Sequence, residues 1–232
     1  AHSLRVADNA RLIADDLGLP GEERRLAEAC GLVHDVGRFP QYAEFGSFRD
    51  ADTVDHGAHG RRVLETQGRF PFFNKGDCEV LLDVVQYHNR RTSDIPAGLE
   101  TRTAHLLGLI RDADKLDVMD LVLQSVAADG FQDLPTMLPQ IRLSRDVSQR
   151  VLMEAAERQS VSIGNLATLG DYLVMLAVWF YDLNYPPSRR IAVERGIMDR
   201  IQRELPDKNV VRNLLDRIKA ALPHDWPRHR KL

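Results

Sequence analysis

Apolar residues recur at helical spacing along nearly the whole chain, and no stretch alternates in the way a half-buried strand does. That pattern predicts an all-α fold. His2, Val6, Ile13 and Leu17 share one stripe, closed by Gly18. A second helix opens after Pro20-Gly21, with Glu22 and Glu23 in its first turn, where carboxylates suit the helix dipole. It turns Leu26, Cys30, Val33 and His34 inward and stops at Gly37. Residues 38–55 read as irregular. Asp55 is a fitting N-cap for a helix over residues 56–67, and further helices are expected over about 77–88 and 101–123. Beyond these, the period predicts helices over 145–158, 169–184, 188–204 and 207–222. Asp133-Leu134-Pro135 and Pro139 mark a seam, so the expected organisation is a ligand-bearing part, 1–132, and a helical extension, 133–232, packed on it.

Composition narrows the classes. At 232 residues, 44% hydrophobic and 28% charged, the chain can bury a sizeable core. A formal net charge of -3 gives no general reason to bind nucleic acid or an acidic membrane. The basic run Arg228, His229, Arg230 and Lys231 reads as a solvated end rather than a nucleic-acid footprint. Cys30 and Cys78 lack metal-type spacing, and Cys30 falls on an apolar stripe, which predicts a buried thiol in a reducing compartment. The apolar run 173–180 is too short to span a bilayer and would serve as core or as a subunit interface, so a homo-oligomer stays open. No secretory or transit segment is visible at the start, and a cytoplasmic location is expected.

Against this apolar background, certain polar residues stand in phase with the core. Asp114 lies on the stripe Ile110, Asp114, Asp117, Leu121, the face a helix normally buries. A lone carboxylate there must lose its charge or find a partner. His2 is in phase with Val6 and Ile13, His34 follows Cys30 by four, His56 shares a face with Gly60, Val63 and Leu64, and His88 follows Leu81 and Val84 by seven and four. Taken singly, each histidine is more simply a hydrogen-bonded core residue. Together with Asp35 beside His34, they predict one convergent polar centre of the kind helical bundles use to hold metals. Imidazole and carboxylate suit borderline-to-hard divalent ions, and a carboxylate can bridge two of them.

The order His2, His34-Asp35, His56, His88, Asp114 resembles the HD superfamily of metal-dependent phosphohydrolases. The local contexts agree: His2-Ser3-Leu4-Arg5-Val6-Ala7, Leu32-Val33-His34-Asp35-Val36-Gly37, His56-Gly57-Ala58-His59-Gly60, Gln86-Tyr87-His88-Asn89 and Arg111-Asp112-Ala113-Asp114-Lys115-Leu116-Asp117. Gly37-Arg38-Phe39-Pro40-Gln41-Tyr42 through Phe48-Arg49-Asp50 resembles a bacterial subgroup of HD proteins. The likeness covers the first half of the chain, and the second half carries no matching motif. It implies an HD-type helical bundle with additional C-terminal helices. It also implies His2, His34, Asp35 and Asp114 on one divalent metal, with Asp35 bridging to a second held by His56 and His88. Manganese, iron or magnesium would serve. His56 is preferred to His59 because the family places a histidine four residues before a small one, here Gly60. A helix that supplies a ligand at position 2 is expected to have residues upstream of Ala1.

The implied reaction is attack of a metal-activated water on a small phosphate ester, a phosphomonoester or a nucleotide. Asp35, Lys115 and Arg38 are the expected catalytic residues, with Lys115 meeting a phosphate oxygen or the leaving group and Arg38 binding phosphate in bidentate fashion. Asp112 and Asp117 are expected to orient ligands or to cap rather than to bind metal. His105 reads as structural. Phe39, Tyr42, Phe45 and Phe48 suit either a lid over the site or packing under a loop. The same ligand pattern also serves diiron oxygenases that cleave C–C or C–P bonds, and HD pockets can bind metabolites without catalysis. The Gly-Tyr-Pro signature of the cyclic-dinucleotide branch is absent from the sequence.

Overall fold

The apolar stripes fold as helices. A computed structural model describes residues 1–221, and the tail residues Arg228 to Lys231 lie outside the described residues. Among the described residues the elements are α-helices and short 3-10 turns, with one isolated parallel bridge between Arg142 and Thr168. In chain order the helices are α1 (His2–Asp16), α2 (Gly21–Val33), α3 (Arg38–Phe45), α4 (His56–Gln67), α5 (Lys75–Tyr87) and α6 (Thr101–Asp129). There follow α7 (Leu134–Met137), α8 (Gln149–Arg158), α9 (Leu169–Val178), α10 (Pro186–Glu194), α11 (Ile197–Glu204) and α12 (Asn209–Ala220). The chain divides into two compact units, Ala1–Asp117 and Val118 onward, with the division inside α6. The seam at 133–139 lies within the second unit.

In the first unit, α1 packs along α2, α4 along α5, and α2 also meets α5. Val6, Ala10, Ile13, Leu26, Cys30, Leu81, Val84, Leu106 and Ile110 are fully buried there. Burial pushes the Cys30 thiol up, so it stays protonated and inert. Asp55 caps α4 by accepting from Ala58 N at 3.0 Å. α5 starts at Lys75, two residues earlier than its apolar period, because Asn74 and Asp77 form a capping box.

In the second unit α9 is apolar on every side. Leu173, Val174, Leu176 and Ala177 have no exposure, and α8, α11 and α12 surround the helix. The run 173–180 is therefore core. Among the described residues no helix is long and apolar enough to cross a membrane.

Three expectations are corrected. Residues 38–55 are not irregular throughout: Arg38–Phe45 is a helix, and Asp50–Asp52 a 3-10 turn. Pro40 sits in the first turn of α3, where its missing N–H breaks no helical bond. Residues 188–204 are not one helix, because Gly196 takes φ 60°, a left-handed conformation that separates α10 from α11. Leu121, placed on the buried stripe of α6, is 43% exposed, whereas Leu109, Ala113 and Leu116 are fully buried. Burial runs round most of the α6 circumference, so one stripe under-describes it.

Candidate metal centre

Two helices of the first unit end in the same way. His34 follows α2 and His88 follows α5, each in the right-handed helical conformation at the C-cap. Each donates its Nδ1–H back to a carbonyl three residues earlier, Gly31 O and Val85 O, both at 2.7 Å. The last carbonyls of a helix lack intrahelical partners, so the imidazole satisfies one of them and is itself oriented. Carbonyls only accept, which places the proton on Nδ1 and leaves the Nε2 lone pair aimed inward.

The other two histidines are anchored at Nδ1 by carboxylates. His2, in the first turn of α1, places Nδ1 at 2.7 Å from Asp117 Oδ2, and Arg5 holds the same carboxylate at 2.6 Å and 3.0 Å. His56, the first residue of α4, places Nδ1 at 2.6 Å from Asp50 Oδ2. All four imidazoles are thus tethered at Nδ1 and point Nε2 toward one another. Successive ring centroids lie 5.0–5.2 Å apart along the series His2, His34, His88, His56.

Asp35 lies in the turn between α2 and α3. That turn rests against α4 through Gly37, where a Cβ would stand 2.1 Å from His56 O and 2.5 Å from Gly60 N, so only glycine fits. The two oxygens of Asp35 face different partners. Oδ2 is 3.7 Å from His2 Nε2 and 3.8 Å from His34 Nε2. Oδ1 is 3.2 Å from His56 Nε2 and 3.5 Å from His88 Nε2. Asp114 Oδ1 completes the first group at 3.3 Å from His2 Nε2 and 3.8 Å from His34 Nε2.

Acceptors outnumber donors at this centre. His34 Nε2 is buried without a hydrogen-bond partner. The Nε2 atoms of His56 and His88 stand 3.1 Å apart with both Nδ1 protons already committed elsewhere. The carboxylates draw positive charge into the gap. His2 is pulled down by burial but pushed up to about 10 overall by its bonds to Asp114 and Asp117. Burial lowers His34, against the pull of Asp114 and Asp35. Asp35 is held well below the usual carboxylate range by His56 and His88 in spite of its burial, and Asp114 is lowered in the same way by His2. The orphaned His34 nitrogen, its neighbouring imidazoles and the two ionised carboxylates make a donor set for divalent cations. His2, His34 and Asp114 offer ligand atoms within 4.8 Å of one another, as do His34, Asp35 and His88, so either group could hold a metal ion.

The model of the HD domain matches residues 1–119, just over half the chain. The chain belongs to the HD domain family. That membership makes it a protein of the metal-dependent hydrolase type, in a family composed largely of phosphohydrolases. No curated protein and no solved structure matches the chain.

Within this HD domain the six expected ligands, His2, His34, Asp35, His56, His88 and Asp114, all come together. His59 makes none of these contacts. Arg38 lies beside the centre, with Nε 3.6 Å from Asp35 Oδ1 and Nη1 donating to Gln41 Oε1, Phe48 O and Asp50 Oδ1 at 2.6–2.9 Å. Lys115 is half-buried at the position after Asp114. Asp117 anchors His2, the orienting role expected of it. Phe39, Tyr42, Phe45 and Phe48 are all exposed, and the Tyr42 and Phe48 rings stack with centroids 4.6 Å apart.

Sequence reasoning gave no role to Asp50, Gln41, Asn89 or Arg5. Arg5 carried a signal, since it stands one helical turn after His2. Asp50 carried no periodic signal, because it lies in a stretch without period, and the family-like stretch it closes gave it no role.

Proposed function

We propose that this protein is a phosphohydrolase acting on a small phosphate ester, a phosphomonoester or a nucleotide, at a centre for two divalent cations. The division of the Asp35 carboxylate supports this reading above all: one oxygen faces His2 and His34, the other His56 and His88. His2, His34, Asp114 and Asp35 Oδ2 would hold one cation. His56, His88 and Asp35 Oδ1 would hold the other. Manganese, iron or magnesium suits such donors. Bound divalent ions lower the pKa of a water toward neutrality and stabilise charge developing on phosphoryl oxygens.

The chain's own part is preorganisation. The Nδ1 anchors of the four histidines fix tautomer and ring plane before any substrate arrives. Two carboxylate charges would not cancel two divalent cations, so a loaded centre would keep a positive balance that suits a phosphate dianion. Arg38 is held rigidly beside Asp35 by Gln41, Phe48 O and Asp50, which leaves its Nη2 edge for a substrate oxygen. Lys115 is the second candidate to meet a phosphate oxygen or the leaving group.

The test is turnover of nitrophenyl phosphate, its bis-ester and a nucleotide panel by protein loaded separately with manganese, iron or magnesium. Metal-dependent phosphate release that is lost in Asp35→Asn is the expected result. No release with any metal across the panel, or release untouched by Asp35→Asn, overturns the reading. Iron-dependent oxygen consumption without phosphate release replaces it with an oxygenase.

A further inference from the structure

The four imidazoles are not anchored alike. His34 and His88 are tethered to carbonyls of their own helices, and His2 to Asp117 on α6. His56 alone takes its anchor from outside the α-helices, at Asp50 in the 3-10 turn Asp50–Asp52. Four donors from three places converge on that carboxylate. Oδ2 accepts from His56 Nδ1 at 2.6 Å and from Asn89 Nδ2 at 3.1 Å. Oδ1 accepts from Arg38 Nη1 at 2.8 Å and from Gln41 Nε2 at 3.0 Å. Gln41 is fully buried and also donates to Thr53 Oγ1 at 2.8 Å and Val54 O at 3.1 Å, stitching the segment to α3.

Arg38 joins the two halves of this arrangement. Its Nη1 holds Asp50 while its Nε lies 3.6 Å from Asp35 Oδ1, the oxygen that faces His56 and His88. Asp50 thus meets the His56–His88 side by two routes, through the His56 ring and through the guanidinium beside Asp35. An anchoring carboxylate raises the basicity of a metal-bound imidazole and locks its plane, and its loss typically weakens a metal by about 10–100-fold.

We propose that Asp50 is the positioning residue of the second cation: by orienting His56 it sets the occupancy of the His56–His88 side and leaves the His2–His34–Asp114 side unaffected. The inference rests on the two-cation reading above. It makes the centre unequal, with one side built wholly on helices and the other dependent on a short turn.

Manganese titration of the metal-free chain, with unbound ion followed by its paramagnetic resonance signal, tests this without recourse to activity. The wild type is expected to bind two equivalents. Asp50→Asn should keep one equivalent at wild-type affinity and weaken the other by about 10–100-fold. Asp50→Ser, which sets no amide donor against the four converging ones, should do the same and serves if the asparagine variant does not fold. Thr53→Val removes a tie between the segment and Gln41 without touching Asp50, and should keep both equivalents. Unchanged binding in the Asp50 variants, or equal weakening of both equivalents, overturns the inference alone. So does a Thr53→Val variant that loses the second ion as Asp50→Asn does, because the effect then belongs to the fold of the segment. A wild type that binds a single equivalent overturns the two-cation reading and the inference with it.

Discussion

Each unit of the molecule buries carboxylate chemistry, and the two do so in opposite ways. In the second unit Asp171 is fully buried and wholly satisfied by its own chain. Its Oδ1 accepts from Ser148 N at 2.7 Å and its Oδ2 from Ala167 N at 3.0 Å, while its own N–H donates to Thr168 Oγ1 at 3.0 Å. In the first unit Asp35 and Asp114 face the Nε2 atoms of several imidazoles crowded round one gap, and His34 Nε2 is left with no partner. Polar burial is therefore no mark of function by itself. The mark at this centre is convergence: an unpartnered imidazole nitrogen and two ionised carboxylates face one gap, as ligands to a cation would.

The sharpest way to break this comparison is to exchange charge for shape at the centre. Asp35→Asn should lower metal-dependent turnover by at least about 10³-fold, since a Lewis-acid centre contributes several kcal/mol to the transition state. A steady-state assay at saturating metal reads this, and a loss below tenfold would refute it.

Asp171→Ala should do the reverse. Two backbone N–H groups lose their acceptor, which costs about 2–4 kcal/mol of unfolding free energy in a denaturant melt. Metal stoichiometry should not change, and any change would show that Asp171 is not the purely structural carboxylate drawn here.

Cation binding offers the third test. Free divalent ion at about 100 times its Kd should raise the unfolding free energy of the wild type by about 2.7 kcal/mol. The rise should be much smaller in Asp35→Asn, and equal stabilisation of the two would place the ion elsewhere.

The smallest effect lies in the second unit. Burial pushes Tyr172 up to about 12. Its folded value lies above its unfolded one, so the stability it contributes is complete below about pH 10 and is lost as pH rises through 12. Tyr172→Phe should remove that component, on the order of 1 kcal/mol after discounting for partial exposure. Paired melts of variant and wild type between pH 9 and about pH 12 read the difference, and identical slopes would refute it.

Much of the fold is legible before any coordinates. Asp55 as the cap of α4, the close of α1 near Gly18 and the all-round apolar character of α9 are local statements, settled by residues a turn apart. Residues 38–55 and 188–204 departed from their expected elements for a related reason. A proline or a glycine changes meaning with its position in a helix, and that position depends on where the helix starts.

The candidate centre was legible as a set of residue types in phase with the core. Helical period alone determines that His2, His34, His56, His88 and Asp114 fall on inward faces, since the face of a side chain follows from spacing. Which nitrogen His2 and His56 present, how the oxygens of Asp35 are shared and that Asp50 serves His56 were decided only by the tertiary structure. Those features depend on hydrogen bonds between residues 6 to 115 positions apart, such as His56 with Asp50 and His2 with Asp117. No period encodes such bonds, because they form only when separate helices and a non-periodic turn are brought to one point.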